Sequence, residues 1–482
     1  MHQGTKPSAD PTHTLTSRGL GGIKNESSYM TRQILINAFN MNTPVHQTQG
    51  LWKHPRDRSS EYTTIKYWQE LARTLERGLF DGIFLADITG VYDVYGGSPD
   101  AALRNAVQVP NNDPYLLIPV MAAVTEHLGF GVTGSLTYEP PNTFARKMST
   151  LDHLTNGRVG WNIVTGYLNS AAKAAGQVKQ TDHDTRYDIA EEYMEIMYKL
   201  WEGSWEEDAV CRNVDTGVYV DPAKVHRIKH DGKYFKLEGI HLSEPSRQRT
   251  PVLYQAGSSS KGQAFAGKHA ECAFISSPTK NVMAGTVRKM RAATEQQGRK
   301  GRDVAIFAMM NVIVGRSNEE AQEKLREYRK YASYEGALTL MSGWTGIDFS
   351  SCDPSDPVKH IRNDSMQTAI DRFTIADPNR VWTVGEVAEY LAIGGSGPVI
   401  VGSVQEVADE MQRWVEETGI DGFNLAYTVN PESITDLVDM VVPELQRRGV
   451  YKTEYRSGTL REKLFGESPR LQAPHPATKF RI

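Results

Sequence analysis

Short apolar segments alternate along the chain with longer segments whose apolar residues recur every three or four positions. Residues 82–86 (GIFLA) are a short apolar run, whereas residues 63–77 carry apolar side chains at helical spacing. The first pattern is typical of a buried strand and the second of an amphipathic helix. This pair of patterns predicts strands at residues 33–39, 82–86, 129–135, 159–164, 251–255, 272–276, 304–314 and 422–427. It predicts helices at residues 63–77, 114–125, 142–154, 186–202, 262–269, 281–297, 318–334, 404–418 and 433–447.

Eight strands, each followed by a helix, are the count of a (β/α)8 barrel. We therefore predict an α/β protein with a TIM-barrel fold and insertions after strands 4 and 7. The first insertion, residues 203–250, carries aromatic and basic residues and a hairpin around His230-Asp231-Gly232. The second, residues 335–403, contains Gly, Pro, Ser and Trp without clear periodicity. Connections of this length inside a compact domain are usually lids, binding loops or subunit contacts.

The two ends of the chain differ in character. Residues 1–29 are rich in Ser, Thr, Gly, His and Pro and lack an apolar run, which predicts a disordered tail and excludes a secretory signal. Residues 30–482 show neither an internal repeat nor a linker, so we predict one domain with insertions and a C-terminal extension. Because no run of about 18 apolar residues exists, no membrane span is expected.

Composition narrows the class of protein further. The chain has 54 Lys and Arg residues against 58 Asp and Glu residues, a formal net charge of −4, without a basic block for nucleic acid or an anionic membrane. Its three cysteines, Cys211, Cys272 and Cys352, are far apart. This spacing argues against a disulfide framework or a thiolate metal site and favours a cytoplasmic location.

Two apparent motifs do not carry the chemistry that they suggest. Residues 129–134 match GxGxxG but lie within a predicted strand, whereas a dinucleotide site needs its glycines at the start of a helix. His226 and His230 are four residues apart, but the glutamate of an HExxH motif is missing and the segment is not convincingly helical. We interpret them as a surface pair and predict no metal site.

Polar residues follow the predicted strands at their carboxyl ends, where α/β proteins place their ligands. After the fourth strand Asn162, Thr165, Gly166 and Tyr167 bunch together. The loop 256–262 (AGSSSKG) leads into a helix and offers backbone N–H groups to an anion such as phosphate. A nucleophile with its base is missing, so a bound cofactor is expected to carry the chemistry. The predicted mouth of the barrel comprises Asn37, Asp87, Thr137, Tyr138, Asn162, Thr165 and Gln255, and Tyr187 could donate to the same phosphate.

Several long blocks lie between about residues 33 and 465, namely INAFNMN, LWKHP, ARTLERGLFDGIFLAD, YEPPNTFARKMSTLDHLTNGRVGWNIVTGY, HDTRYDIAEEYMEIMYKLWEGSW, DPAKVHRIKHDGKYF, TPVLYQAGSSSKGQAFAGKHAE and TEYRSGTLREKLFG. These blocks resemble the bacterial-luciferase-like flavin monooxygenases. The branch concerned contains nitrilotriacetate monooxygenase component A, dibenzothiophene-sulfone monooxygenase and long-chain alkane monooxygenase, and the sequence resembles the last in particular.

The resemblance implies a TIM barrel that binds reduced FMN delivered by a separate NAD(P)H:FMN reductase. Oxygen then adds to the flavin, and the flavin peroxide attacks a small organic substrate. Asp87 and Thr165 would lie near the flavin ring, and Tyr187 with Ser258-Ser259 near the phosphate. The structural alternatives are a strand-end cap for Thr165 and a packing role for Tyr187. The complete set expected around FMN is Asp87, Thr137, Asn162, Thr165, Gly166, Tyr187, Gln255, Gly257, Ser258 and Ser259. The resemblance also implies a homodimer or homotetramer.

The substrate side departs from the alkane enzyme. Thr43 replaces a cysteine, Tyr167 replaces a histidine, and residues 343–346 (GWTG) replace GGTG. His46, Tyr92 and Gln108 keep their residue types, and His46, Tyr92 and Tyr167 are the candidates for a catalytic role. The predicted substrate residues are Thr43, His46, Tyr92, Gln108, Tyr167 and Trp344.

The added rings predict a planar heteroaromatic substrate, oxidised in a catabolic pathway. If the fourth strand continues to Tyr167, alternation places Thr165 and Tyr167 on the same side, with Trp344 covering Tyr167. The alternatives are a riboflavin lyase acting in riboflavin catabolism, a long-chain alkane hydroxylase and a non-catalytic flavin- or F420-binding protein. A self-contained oxidoreductase that takes NAD(P)H directly is disfavoured by the missing dinucleotide fingerprint.

Overall fold

Eight parallel strands close into a barrel. The computed structural model describes residues 33–257, 259–359, 367–374, 380–466 and 468–482. The described strands are β1 (Leu35–Met41), β2 (Gly82–Ala86), β3 (Gly129–Ser135), β4 (Val159–Val164), β5 (Val210–Asn213), β6 (Val218–Val220), β7 (Ile228–Asp231), β8 (Lys236–Gly239), β9 (Val252–Gln255), β10 (Cys272–Ile275), β11 (Ala305–Gly315), β12 (Val399–Ser403) and β13 (Gly422–Ala426). The barrel order is β1-β2-β3-β4-β9-β10-β11-β13, and β13 pairs with β1 to complete the circle.

Helices surround the barrel and bury one apolar face against it. In the first helix the Thr64 side chain accepts a hydrogen bond from the Tyr67 N–H, and Trp68, Leu71 and Leu75 are buried at helical spacing. The described α-helices are α1 (Ile65–Arg77), α2 (Asp100–Asn105), α3 (Leu117–Ala122), α4 (Pro141–Leu154), α5 (Asn169–Ala174), α6 (His183–Gly203), α7 (Ser260–His269), α8 (Lys280–Gln296), α9 (Asn318–Arg329), α10 (Tyr334–Thr345), α11 (Gln367–Thr374), α12 (Val384–Gly394), α13 (Val404–Thr418), α14 (Glu432–Asp436), α15 (Val442–Arg447) and α16 (Leu460–Phe465).

The predicted (β/α)8 barrel is confirmed. All eight predicted strands are present in the predicted order, and their ends differ from the prediction by at most two residues. The hairpin predicted around His230-Asp231-Gly232 is also present, since β7 and β8 pair antiparallel. A second hairpin, β5 with β6, lies in the same insertion between α6 and β9.

The insertion after the seventh barrel strand is more regular than its sequence predicted. The predicted helix 318–334 ends at Arg329, and α10, α11, α12 and β12 follow within the insertion. In α10 nine residues, Gly336, Ala337 and all of Thr339–Thr345, are buried, so nearly every face is covered and no amphipathic stripe marks the helix. The strand β12 extends the sheet by pairing with the carboxyl half of β11.

Aromatic rings fill the interior of the barrel. The Phe84 ring stacks on Phe274 with centroids 4.2 Å apart, and Tyr254 stacks near both, at 5.3 Å from Phe274 and 6.5 Å from Phe84. Leu460 of α16 joins this cluster from the C-terminal segment and is 1% exposed. The amino end of the barrel is therefore closed by packed apolar side chains.

Three carboxylates bind neighbouring strands at that closed end. Asp81, Glu271 and Asp421 each immediately precede a barrel strand and accept hydrogen bonds from Ile36, Leu253 and Ile306 N–H at 2.7, 3.0 and 2.7 Å. Each carboxylate is paired with a cation, namely Lys452, Arg461 and Arg291 respectively. Pairing with a cation and a backbone donor satisfies charges that burial would otherwise make costly.

The structure bears on the predicted tail, the predicted single domain and the predicted lack of a membrane span to different extents. Residues 1–29, predicted as a tail, lie outside the described residues. Residues 33–482 cluster as one compact unit. In the described part of the chain, no helix is both long and apolar enough to cross a membrane.

Because Leu460 of α16 helps to close the barrel, we expect Leu460→Ala to destabilise the folded protein strongly. Removing this buried side chain leaves a cavity, and we expect a loss of about 2–5 kcal/mol in the free energy of unfolding, measured by chemical denaturation. The control is Leu154→Ala at the end of α4, where the side chain is 61% exposed and the loss should stay below about 0.5 kcal/mol. Equal losses in the two variants would contradict the role assigned to Leu460.

Candidate active site at the carboxyl ends of the barrel strands

The open end of the barrel gathers the polar residues that follow its strands. The amino end is closed, whereas the loops after β1–β4 and β9 hold buried or half-buried polar side chains. Asn37, at 3% exposure, lies lower, within β1. Because all eight strands are parallel, these loops share one end of the barrel. The candidate site is therefore built at this end.

Asp87, directly after β2, is held by Asn111. The Asn111 side-chain amide donates to Asp87 Oδ1 at 2.7 Å and to the Ile88 carbonyl at 3.0 Å. Burial raises the pKa of Asp87 to about 7, although the bond from Asn111 lowers it, and the charges of Asp113 and Glu139 raise it further. Near neutral pH the Asp87 carboxyl therefore exists in both protonated and ionised forms.

Side chains on β3 and β4, and in the loops that follow these strands, form hydrogen bonds near the mouth. The Asn162 side-chain amide donates to Thr133 Oγ1 at 3.0 Å, and Thr137 Oγ1 donates to the Thr165 carbonyl at 2.7 Å. Among the described residues, Ser135 Oγ and Asn162 Oδ1 are buried without a hydrogen-bond partner. Such groups cost free energy unless a ligand or water satisfies them.

The proposed alternation of Thr165 and Tyr167 is wrong. The strand β4 ends at Val164, and Gly166 adopts a left-handed conformation with φ of +70°. The chain turns between these two residues, so the period-two rule does not apply to them. Tyr167 is directed by this turn and by its contacts.

The loop after β9 packs tightly against α6. Gly257 N–H donates to Gln255 Oε1 at 2.6 Å, and a Cβ at Gly257 would lie only 2.8 Å from the Tyr187 hydroxyl oxygen. Ser259 caps α7 by accepting from the Gly262 N–H, and its hydroxyl is 3.3 Å from His183 Nε2. Ser258 lies outside the described residues. The amino end of α7 thus faces the hydroxyls of Ser259 and Tyr187.

Four of the predicted substrate residues form one hydrogen-bonded chain. Tyr92 OH donates to Gln108 Oε1 at 2.9 Å and lies 2.9 Å from the Tyr167 hydroxyl, and Gln108 Nε2 donates to the His46 carbonyl at 2.9 Å. Tyr92 is 1% exposed and Tyr167 is half-buried. Thr43 lies apart from this chain, since its hydroxyl donates to the Pro110 carbonyl at 2.7 Å.

The helix α10 covers this chain. A Cβ at Gly343 would lie 1.9 Å from Tyr92 Cδ1, so only glycine lets the helix backbone approach the ring this closely. Trp344 is 6% exposed in the apolar cluster that contains Tyr92 and against which Tyr167 packs. Trp344 therefore contacts the predicted substrate residues from the second insertion.

His46 is buried as a neutral imidazole. Gln47 Oε1 accepts from the Ser396 N–H at 3.2 Å, which turns the Gln47 amide nitrogen toward His46 Nε2, also at 3.2 Å. Burial lowers the pKa of His46 to about 3, and the Phe39 carbonyl offsets this only in part. His46 Nε2 is therefore already occupied as an acceptor near neutral pH.

The sequence did not identify several partners that hold these groups. Asn111 holds Asp87 and Gln47 holds His46, while Gln180 donates to the Tyr138 hydroxyl at 3.0 Å. All three are amide side chains in irregular segments, which carry no periodicity. Pro110 beside Asn111 disfavours regular structure there but does not specify a distant partner.

The pair His226 and His230 has ordinary partners. His226 Nε2 is 2.8 Å from Glu206 Oε1, and His230 Nε2 is 3.1 Å from Glu192 Oε1. His230 is 6% exposed, so the expectation of a surface pair is wrong for this residue, which packs against α6. Within the described ranges, no group of three or more His, Cys, Asp or Glu residues is placed to hold a metal ion.

Comparison with known proteins agrees with this geometry. The family model for luciferase-like monooxygenase matches residues 42–422. Dimethyl-sulfide monooxygenase from Hyphomicrobium sulfonivorans is 50% identical over 453 residues, which are 94% of this chain and 94% of that protein. Long-chain alkane monooxygenase from Geobacillus thermodenitrificans (strain NG80-2) is 48% identical over 455 residues, 94% of this chain and 99% of that protein.

Solved structures support the same relationship. The crystal structure of long-chain alkane monooxygenase superposes with a TM-score of 0.87. The crystal structure of a riboflavin lyase with modified FMN and riboflavin gives a TM-score of 0.88 at 37% identity, covering 94% of this chain and 100% of that chain.

The raised pKa of Asp87 predicts a pH-dependent cost in the ligand-free protein. Between about pH 4 and pH 7 the unfolded chain ionises this carboxyl while the folded protein keeps it protonated, so stability falls as pH rises. Asp87→Asn should remove this fall, which we expect to be about 1–3 kcal/mol because the carboxyl is partly solvated. The measurement is the free energy of unfolding of both proteins at pH 4.5 and pH 8. Parallel pH profiles would show that Asp87 is ionised throughout.

Proposed function

The chain belongs to the luciferase-like monooxygenase family, and we propose that it is the oxygenase component of a two-component system using reduced FMN and O2. Relatives in this branch are named as monooxygenases of small organic compounds. As a member of the same family, this protein is a flavin-dependent monooxygenase. The observation that carries the finer proposal is the convergence of two features at one end of the barrel. The amino end of α7 suits a phosphate, and the mouth beside β2–β4 suits a polar ring.

The phosphate end of this fit rests on α7 and α6. The N–H groups at the start of α7 are directed toward the loop of Gly257 and Ser259, and a helix amino end favours an anion. Tyr187 brings its hydroxyl to the same loop, where a larger residue than glycine at 257 would collide with it. We assign Tyr187, Gly257 and Ser259 to the phosphate.

The ring end rests on unsatisfied polar atoms. Ser135 Oγ and Asn162 Oδ1 face the interior without a described partner, and Asp87 lies at the end of the next strand, β2. The heteroatoms of an isoalloxazine ring would satisfy such groups. We assign Asp87, Asn162, Thr137, Thr165 and Gly166 to this side, with Thr137 fixing the Thr165 carbonyl.

When bound, reduced FMN supplies the electrons that activate O2. The protein supplies position and protons. Asp87, with a pKa of about 7, can hold or release a proton beside the ring near neutral pH. Tyr92 and Trp344, both almost fully buried, exclude water from the same space.

A separate NAD(P)H:FMN reductase fits this reading better than direct use of NAD(P)H. The glycines of residues 129–134 lie within β3 and not at the start of a helix, so the arrangement that a pyrophosphate site needs is missing there. Nitrilotriacetate monooxygenase component A, 32% identical to this chain, is by its name one component of a larger system. A homodimer or homotetramer in the cytoplasm remains our expectation for the oxygenase.

The planar heteroaromatic substrate predicted from the sequence stays a prediction. It requires an open ring face, which half-buried Tyr167 offers more readily than Trp344 at 6% exposure. The burial of Trp344 favours a second candidate, a compact thioether such as the one named for the dimethyl-sulfide monooxygenase. Riboflavin cleavage, long-chain alkane hydroxylation and flavin binding without turnover are the outcomes to be distinguished from both.

Loss of the Tyr187 hydroxyl should weaken FMN binding. We expect Tyr187→Phe to reduce affinity for reduced FMN by about 0.5–1.5 kcal/mol in anaerobic titration, the net value of one hydrogen bond. The control is Tyr198→Phe on the same helix, whose hydroxyl lies 2.9 Å from His269 Nδ1 and away from the loop of Gly257. Tyr187 is not a phosphate ligand if both variants bind FMN as the wild type does.

The aromatic residues at the mouth predict the substrate preference. If a planar substrate stacks on them, Tyr167→Ala and Trp344→Ala should each cost roughly 1–3 kcal/mol in substrate binding while FMN affinity barely changes. The measurement is turnover of riboflavin, dibenzothiophene sulfone, dimethyl sulfide and hexadecane with reduced FMN. Turnover of dimethyl sulfide alone would select the compact thioether, and turnover of hexadecane alone would exclude both proposals.

A further inference from the structure

The direction of the hydrogen bonds around Tyr92 is fixed by a neighbouring carbonyl group that can only accept a hydrogen bond. The His46 carbonyl can only accept, and the Gln108 amide lies 2.9 Å from it. The Gln108 nitrogen must therefore face this carbonyl, and its oxygen must face Tyr92. Gln108 is 5% exposed, so water does not offer an alternative orientation.

The Tyr92 hydroxyl has one hydrogen and two lone pairs. Its hydrogen is used on Gln108 Oε1 at 2.9 Å. Because this hydrogen is used, the Tyr92 oxygen can only accept from the Tyr167 hydroxyl, which lies 2.9 Å away. The hydrogen of this bond therefore has to come from Tyr167.

We propose that Tyr167 is a specificity residue whose hydroxyl oxygen, its hydrogen fixed on Tyr92, only accepts hydrogen bonds at the mouth of the site. Gln108 acts as a positioning residue that sets this polarity. The ligand class that Tyr167 recognises is a small organic molecule carrying an O–H or N–H group, so this inference favours a heteroaromatic substrate with such a group over the compact thioether, which has none. This inference rests on the proposed function only in taking the mouth as the place where substrate binds.

The acidity of the two phenols agrees with this polarity. Burial raises the pKa of Tyr92 to about 12, and the bond from Tyr167 together with the nearby Trp344 indole limits that rise. Burial and the bond to Tyr92 raise the pKa of Tyr167 well above its usual value. A hydroxyl that donates to its neighbour holds its proton more firmly, whereas the accepting neighbour is stabilised as phenolate.

Neutron diffraction from deuterated crystals of the full chain tests the polarity directly and needs neither flavin nor turnover. The deuterium of Tyr167 should lie on the line to the Tyr92 oxygen, and that of Tyr92 on the line to Gln108 Oε1. A Tyr92 deuterium directed at Tyr167 would overturn the proposal.

Phenol and anisole are matched probes for the ligand class, because phenol can donate a hydrogen bond and anisole can only accept one. Calorimetric titration of the wild type should favour phenol. Tyr167→Phe should weaken phenol binding by about 2–12-fold and leave anisole binding unchanged. Equal loss for both probes, or no loss for phenol, would show that Tyr167 does not accept from the ligand.

Gln108→Met separates polarity from packing. This substitution removes the acceptor of the Tyr92 hydrogen. The Tyr92 hydroxyl can then donate to Tyr167, which leaves the Tyr167 hydrogen free to point toward the ligand. The preference for phenol over anisole should fall by about 2–12-fold. The control is Gln49→Met, because the Gln49 amide donates to the same His46 carbonyl at 3.4 Å but, in the described part of the chain, to neither tyrosine. An identical preference in all three proteins would remove Gln108 from this role, whatever their activity with FMN.

Discussion

The pairing of β1 with β13 is the contact on which the remaining structure depends. It joins residues nearly 390 positions apart in sequence and turns an open sheet into a barrel. In the closed barrel each of the eight strands is paired on both sides, and the interior has to be filled by side chains. Aromatic rings and α16 fill the lower part, so only the carboxyl end is left for a ligand. The buried carboxylates Asp81, Glu271 and Asp421 join neighbouring strands at the closed end. The polar groups at the mouth take no part in these bonds and can contact a ligand.

At the mouth, groups of fixed hydrogen-bonding role decide where protons lie. The Ser396 N–H orients Gln47, which in turn occupies His46, and the His46 carbonyl orients Gln108. Burial keeps His46 neutral but leaves Asp87 able to exchange a proton near neutral pH. The site therefore has two parts. Beside the proposed substrate the hydrogen bonds fix the positions of the protons, whereas beside the proposed flavin the Asp87 carboxyl can gain or lose one.

The sequence predicted the barrel well because its strands are short apolar runs bounded by turn residues. It also placed Asp87, Thr137 and Thr165 at one end of the barrel, since this follows from parallel strands alone. It failed for α10, which is buried on nearly all faces and therefore has no amphipathic pattern. It also failed for the direction of Tyr167, because the left-handed Gly166 turns the chain and strand alternation no longer applies. Contacts such as Asn111 with Asp87 depend on loop conformation, which periodicity does not encode. The prediction of roles around FMN came from the resemblance. The residues that it named lie on or after β2, β3, β4 and β9 or at the start of α6 and α7, except for Ser258, which lies outside the described residues.

The central claim is that the protein transfers one oxygen atom from O2 to an organic substrate at the expense of reduced FMN. Its most direct test is an ¹⁸O experiment with purified protein, chemically reduced FMN and ¹⁸O2, without a reductase or NAD(P)H. We expect the product of any substrate that is turned over to contain one ¹⁸O atom derived from O2. Unlabelled product containing oxygen from water, or turnover that requires NAD(P)H and no added flavin, would contradict it.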